Sequence, residues 1–105
     1  MTFHPVGPAS DFPDPSSTLV EVDDAPVVLI HAAGHFYALD DVCTHDGGPL
    51  SDGPLDPEEK TIACPRHGAK FDLKSGAALT MPATKATAAH EVKVEDGQVL
   101  VRLVG

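Results

Sequence analysis

The sequence predicts an all-β domain, and three observations carry that prediction. Short runs rich in β-branched and aromatic residues recur at residues 18–22, 27–31, 36–39, 91–94 and 99–102. Turn-forming residues separate them at short intervals, and Asp96-Gly97 between the last two runs is a strong two-residue hairpin signal. No window carries the apolar spacing of an amphipathic helix. A length of 105 residues accommodates one domain, expected here over residues 1–105.

Taken in order, residues 1–17 contain Pro5, Pro8, Pro13 and Pro15, which suit an edge strand near residues 2–6 followed by a loop. Residues 18–22 form a strand that ends at Asp23-Asp24, a turn pair. Residues 27–31 form a strand whose first four positions are all apolar, as in a central strand covered on both faces. Ala33-Gly34 turns the chain into a strand at 36–39, and Asp40 and Asp41 read as turn residues. Residues 50–59, rich in Pro, Gly, Asp and Glu, read as a surface excursion. Short strands are expected at 61–63 and 69–72, with a turn at Lys74-Ser75-Gly76. The Ala-rich stretch 77–90 has Pro82 at its middle and recurrent Thr, so it reads as extended chain and not helix. The hairpin across Asp96-Gly97 closes the domain.

Two segments carry the chemistry. Cys43-Thr44-His45 and Cys64-Pro65-Arg66-His67 each place one thiol and one imidazole close together. Buried thiols with surface histidines nearby would leave the repeated Cys–His pairing unexplained. A disulfide would leave both histidines without a role, and nothing marks the chain as secreted. Structural zinc takes the same residue types, but its ligands usually come as C-x₂₋₄-C and H-x₃₋₅-H, like with like. A [2Fe–2S] cluster with two Cys on one iron and two His on the other accounts for the mixed pairs, because each loop then gives one ligand to each iron. Gly47, Gly48 and Gly68 follow the ligands closely and let backbone amides approach a cluster, or serve as ordinary turn glycines.

The segments Cys43-Thr44-His45-Asp46-Gly47-Gly48-Pro49-Leu50 and Cys64-Pro65-Arg66-His67-Gly68-Ala69-Lys70-Phe71-Asp72, with the 18 residues 46–63 between His45 and Cys64, resemble the two ligand loops of a Rieske-type ferredoxin. The resemblance runs from residues 36–39 to the C-terminal hairpin. It implies an antiparallel β sandwich or barrel with a small cluster-binding subdomain at approximately residues 42–83. It also implies one [2Fe–2S] cluster bound by Cys43, His45, Cys64 and His67. Pro49, Leu50 and Pro82 would form an apolar lid over the sulfides, with core packing an equal reading for Leu50.

High-potential members of that family carry an additional Cys in each loop, joined as a disulfide, and a Ser and a Tyr whose hydroxyls bond sulfur. The matching positions here are Gly48, Arg66, Ala69 and Phe71. The resemblance therefore implies a low-potential site. If each lost donor weakens the reduced form by about 1.4 kcal/mol, the midpoint falls by roughly 59 mV per donor. That places it near the low end of a range of roughly −150 to +300 mV. Asp46 and Arg66 are expected to pair across the site in place of the disulfide.

The resemblance implies a one-electron carrier and not an enzyme: it takes electrons from a reductase and passes them to an oxygenase-type partner by weak, transient contact below roughly 1,200 Å². His45 and His67 would present the exit path at an exposed tip. An accessory or redox-sensing subunit and a zinc-stabilised binding module remain as alternatives. His4, His31, His35 and His90 form no compact ligand motif, and no nucleotide or hydrolase motif occurs.

Charge bounds the partners. Residues 1–59 hold twelve Asp/Glu and no Lys or Arg, and residues 60–105 hold seven Lys/Arg against four Asp/Glu, for a net charge of −9. Nucleic acid and anionic membrane are poor partners for such a chain, and a basic protein surface is a better one, with plain solubility an equal reading of the charge. No apolar run approaches the ~20 residues of a membrane helix, and no signal peptide is visible, which points to the cytoplasm.

Overall fold

Three two-residue turns shape the larger sheet. Asp23-Asp24, Ala33-Gly34 and Asp96-Gly97 each take positive φ at both positions, from +50° to +81°. Such turns match the right-handed twist of the strands they join. The computed structural model describes residues 2–42, 48–65, 68–81 and 85–104. Among these, the strands are β1 (His4–Pro8), β2 (Ser16–Val22), β3 (Ala25–Ala32), β4 (His35–Asp40), β5 (Leu55–Asp56), β6 (Thr61–Ala63), β7 (Lys70–Asp72), β8 (Ala89–Glu95) and β9 (Gln98–Arg102). The turns join β2 to β3, β3 to β4 and β8 to β9, and all pairings are antiparallel.

Six strands form one sheet in the order β1-β9-β8-β4-β3-β2, and three form a second in the order β5-β6-β7. Strands β1 and β2, at the two edges of the large sheet, come into contact, so the sheet curls into a nearly closed barrel. The architecture is the expected all-β one. Strand β1 carries Pro5 and Pro8 and a register shift between Pro5 and Gly7, which an edge strand tolerates. It starts two residues later than the composition suggested, because its register follows β9.

The apolar run on β3 is explained by two cores. Val28, Ile30 and Ala32 face one, with Leu39, Leu50, Ile62, Cys64, Ala69, Phe71 and Leu73. Val27 and Leu29 face the other, inside the barrel, with Phe12, Val22, Ala38, Val99 and Val101. The first core is the seam between the two sheets, and it is what fixes the small sheet on the large one.

Two expectations need correction. Residues 50–59 are more than a surface excursion: Leu50 is fully buried in the seam, and Leu55–Asp56 adds β5 to the small sheet. Residues 77–90 are extended as expected where described, but the last two already belong to β8, whose Ala89 and His90 pair with Leu39 and Ala38. No helix among the described residues is long and apolar enough to cross a membrane.

Candidate functional site

Strand β6 leads directly into Cys64, and β7 leaves from Lys70. Cys64 is bonded through its backbone to both Gly68 and Ala69. The Cys64 N–H donates to the Ala69 carbonyl at 2.8 Å, and the Gly68 N–H donates to the Cys64 carbonyl at 2.9 Å. Gly68 takes φ +73°, where a β-carbon is unfavourable, so the loop needs glycine here for its backbone alone. Cys64 is buried among Leu50, Ile62, Ala69 and Phe71. Its thiol-bearing side chain therefore stands on an apolar floor.

The other expected ligands, Cys43, His45 and His67, lie outside the described residues. So do Gly47, Pro82 and the expected Asp46–Arg66 pair. What the structure does place is the stem on each side of the first loop. On the upstream side, the Asp40 N–H donates to the Ala88 carbonyl at 2.9 Å and the Asp41 N–H to the Pro26 carbonyl at 3.2 Å. The buried Thr87 hydroxyl adds a bond to the Val42 carbonyl at 3.4 Å. On the downstream side, Leu50 begins a single 3-10 turn, Leu50–Asp52, that plugs into the seam. Leu50 is thus a core residue and not a lid, while Pro49 beside it is exposed.

The two stems are joined by Asp41 and Ser51. The Asp41 carboxylate accepts the Ser51 N–H at 2.6 Å through one oxygen and the Ser51 hydroxyl at 2.8 Å through the other. Asp41 is only 8% exposed. A carboxylate removed from water to that degree requires such donors. Asp40 and Asp41 are therefore more than turn residues. Asp40 ends β4 and receives a hydrogen bond from His90 Nε2 at 2.7 Å, while His90 Nδ1 accepts the Val104 N–H at 3.0 Å. No local pattern signals either pairing, because the partners are 10 and 50 residues apart.

The remaining histidines do not gather into a ligand set: no group of three His, Cys, Asp or Glu side chains suited to a metal occurs among the described residues. His31 stacks on Phe36 at 4.0 Å and bonds the Phe12 carbonyl through Nδ1 at 2.8 Å, fastening the loop after β1 to the barrel. His35 is exposed beside Tyr37.

Beyond the second loop, the Thr80 hydroxyl accepts the Lys70 N–H at 2.8 Å and the Leu79 N–H donates to the Lys70 carbonyl at 2.8 Å. Residues 79–81 therefore run beside the downstream stem of that loop. Leu79 and Met81 are 51% and 75% exposed there. Pro49 and Pro65, next to the two loops, are exposed as well. Ala69 and Phe71, the positions where hydroxyl donors are missing, are fully buried in the seam.

Charge in the small sheet is divided. Asp56, Glu58 and Glu59 lie on β5 and the turn after it, and Lys60, Lys70 and Lys74 lie on or beside β6 and β7. The Lys70–Glu59 ion pair at 3.0 Å links the two groups. At the far end of β7, Asp72 accepts the Ser75 N–H, the Ser75 hydroxyl and the Lys74 N–H. The Ser75 N–H bond is the largest of several effects that hold its carboxyl below the ordinary value of 3.8.

Comparison with known proteins matches this arrangement to a described family. A family model described as Rieske [2Fe–2S] domain matches residues 2–100. The 3-phenylpropionate/cinnamic acid dioxygenase ferredoxin subunit of Shigella flexneri serotype 5b (strain 8401) is 37% identical over 97 residues, which cover 91% of this chain and 89% of that protein. Among solved structures, the ferredoxin of carbazole 1,9a-dioxygenase from Nocardioides aromaticivorans IC177 superposes with a TM-score of 0.94 at 26% identity, covering 99% of this chain and 100% of that one. A chain from the complex of reduced oxygenase and oxidized ferredoxin in carbazole 1,9a-dioxygenase superposes with a TM-score of 0.86 at 35% identity, covering 94% of this chain and 91% of that one.

Proposed function

The chain belongs to the Rieske [2Fe–2S] domain family, and from that premise we propose that it is a one-electron carrier, the ferredoxin component of a multicomponent oxygenase system. The observation that carries this reading is the near full-length match, in both directions, to a dioxygenase ferredoxin subunit. An oxygenase in its own right would need a further iron site, whereas the first relative is a ferredoxin subunit of nearly the same extent.

We assign Cys43 and Cys64 as thiolate ligands to one iron, and His45 and His67 as imidazole ligands to the other, within a cluster-binding subdomain at approximately residues 42–83. This donor set suits the group: two soft sulfurs and two imidazoles are what a Rieske centre takes. The setting of Cys64 suits it too, since the residue is buried on an apolar floor that keeps water from one side of the site. When bound, the cluster supplies a one-electron couple. The chain's own residues do the rest. Leu50, Ala69 and Phe71 keep the base of the site dry, and the backbone bonds of Cys64 to Ala69 and Gly68 hold it in place.

The partners are a reductase that donates and an oxygenase that accepts. The exposed Pro49, Pro65, Leu79 and Met81 give a small apolar contact surface beside both ligand loops. Contact of that kind is weak and short-lived, as a shuttle requires. The Cys–His pairing in place of a disulfide suits a reducing compartment, so we place the protein in the cytoplasm.

The test is the absorption spectrum and the reduced-state EPR spectrum of anaerobically purified protein. A red-brown sample with a rhombic signal of low average g establishes mixed Cys/His ligation. A colourless, EPR-silent sample containing zinc overturns the carrier function.

A further inference from the structure

Asp41 and Ser51, on the two described sides of the first ligand segment, are bonded directly to each other. Asp41 stands two residues before Cys43, and Ser51 stands six after His45. Between them they bracket the whole first loop. Both carboxylate oxygens are engaged, at 2.6 Å and 2.8 Å, by two donors of a single residue. That geometry fixes the orientation of Ser51 as well as its distance.

Each partner is itself anchored. Asp41 is held through its N–H by the Pro26 carbonyl at the start of β3. Ser51 follows Leu50, whose side chain is fully buried between the sheets. The bridge therefore ties the loop to both the barrel and the seam. We propose that Asp41 is a positioning residue for the site. Its hydrogen bonds to Ser51 join the two ends of the first ligand segment and so favour the approach of Cys43 and His45 to the metal. This rests on the ligand assignment above.

The physical case is one of loop entropy and desolvation. Nine residues, 42–50, lie between the partners, and an unclosed loop of that length samples many conformations that bring its ligands out of register. The bridge removes them before the metal arrives. Because Asp41 is nearly buried, losing its donors would leave an unsatisfied acceptor, and the stem would reopen to water instead. Groups bonded directly to metal ligands change metal affinity by roughly 10–100-fold when removed, and a tie one step further out acts at the lower end of that range.

Ser51→Ala deletes the hydroxyl bond and leaves the backbone bond, so the variant should fold. Ser51→Thr keeps a hydroxyl at the same place. For each holoprotein, three quantities are measured: the rate at which visible absorbance is lost under excess chelator, the reduced-state g values, and the thermal midpoint. Ser51→Ala should lose its metal roughly tenfold faster than wild type with displaced g values, and Ser51→Thr should restore both. Asp41→Asn, which keeps one acceptor oxygen but alters the other contact, should fall between them. Wild-type loss rates and g values in Ser51→Ala overturn the proposal. Faster loss with unchanged g values also overturns it, because that is the signature of lowered stability without repositioning. A wild-type protein that takes up no [2Fe–2S] cluster overturns the ligand assignment itself, a result visible before any variant is made.

Discussion

Gly53 lies against the carbonyl of Ala63, so close that a β-carbon built on Gly53 would overlap the oxygen, with the Ala63 carbonyl carbon 2.9 Å away and Pro65 Cδ 3.2 Å away. The segment returning from the first loop thus packs, backbone against backbone, on the strand residue that precedes Cys64. The Ala63 N–H donates to the Pro54 carbonyl at 3.0 Å and reinforces the contact. The segment after the first loop and the strand before the second are set relative to each other by the absence of one side chain.

Gly53→Ala should therefore cost about 3 kcal/mol in unfolding free energy, the upper part of the range for overpacking. Backbone cannot swing aside as a side-chain end can. Chemical denaturation of wild type and variant, with the slope of the transition checked for constancy, measures it. A loss below about 1 kcal/mol would show that the two segments separate freely.

Leu50→Ala should cost about 2–5 kcal/mol, as for a large buried side chain replaced in a close-packed core. Leu50 touches the seam and not the solvent. A surface lid residue would cost only a few tenths, so thermal or urea unfolding separates the two roles.

The midpoint potential should lie near the low end of the Rieske range, roughly −150 mV, and well below +100 mV at neutral pH. Ala69→Ser and Phe71→Tyr should each raise it by up to roughly 59 mV, provided the new hydroxyl reaches sulfur. Both side chains are fully buried, so a hydroxyl that finds no partner instead lowers stability by about 1–3 kcal/mol. Voltammetry of the two single variants, paired with their thermal midpoints, tells these outcomes apart.

Stability should decline with acid through Asp72. Its carboxyl is held below 3.8 by the Ser75 N–H first, then by the Ser75 hydroxyl and by Lys74. A depressed folded-state value means the contribution is fully present above the unfolded value of about 3.9 and is lost as pH falls through the lower folded one. Wild type should be more stable than Asp72→Asn at neutral pH, and the difference should close below about pH 4. The residue is only partly buried, so the effect is modest. A difference that is constant from neutral pH to pH 3 would contradict the assignment.

Much of this protein is legible in the chain alone, and the reason is locality. Gly34 and Gly97 accept positive φ without steric cost where they stand, so the hairpins follow from adjacent residues. Residues 27–30 are apolar at every position, which declares a strand covered on both faces before the covering is known. The paired Cys–His motifs state the donor chemistry by type and spacing. Tertiary structure decided what lies across sequence distance. Leu50 sits in a stretch whose composition is that of a surface loop, and only the seam between two sheets makes it core. Asp41 became a bridge to Ser51, and Asp40 a partner of His90, because strand pairing delivered acceptors to donors 10 and 50 residues away. Whether a polar residue is a solvated turn or a buried tie depends on what the fold brings opposite it, and neighbouring residues carry no record of that.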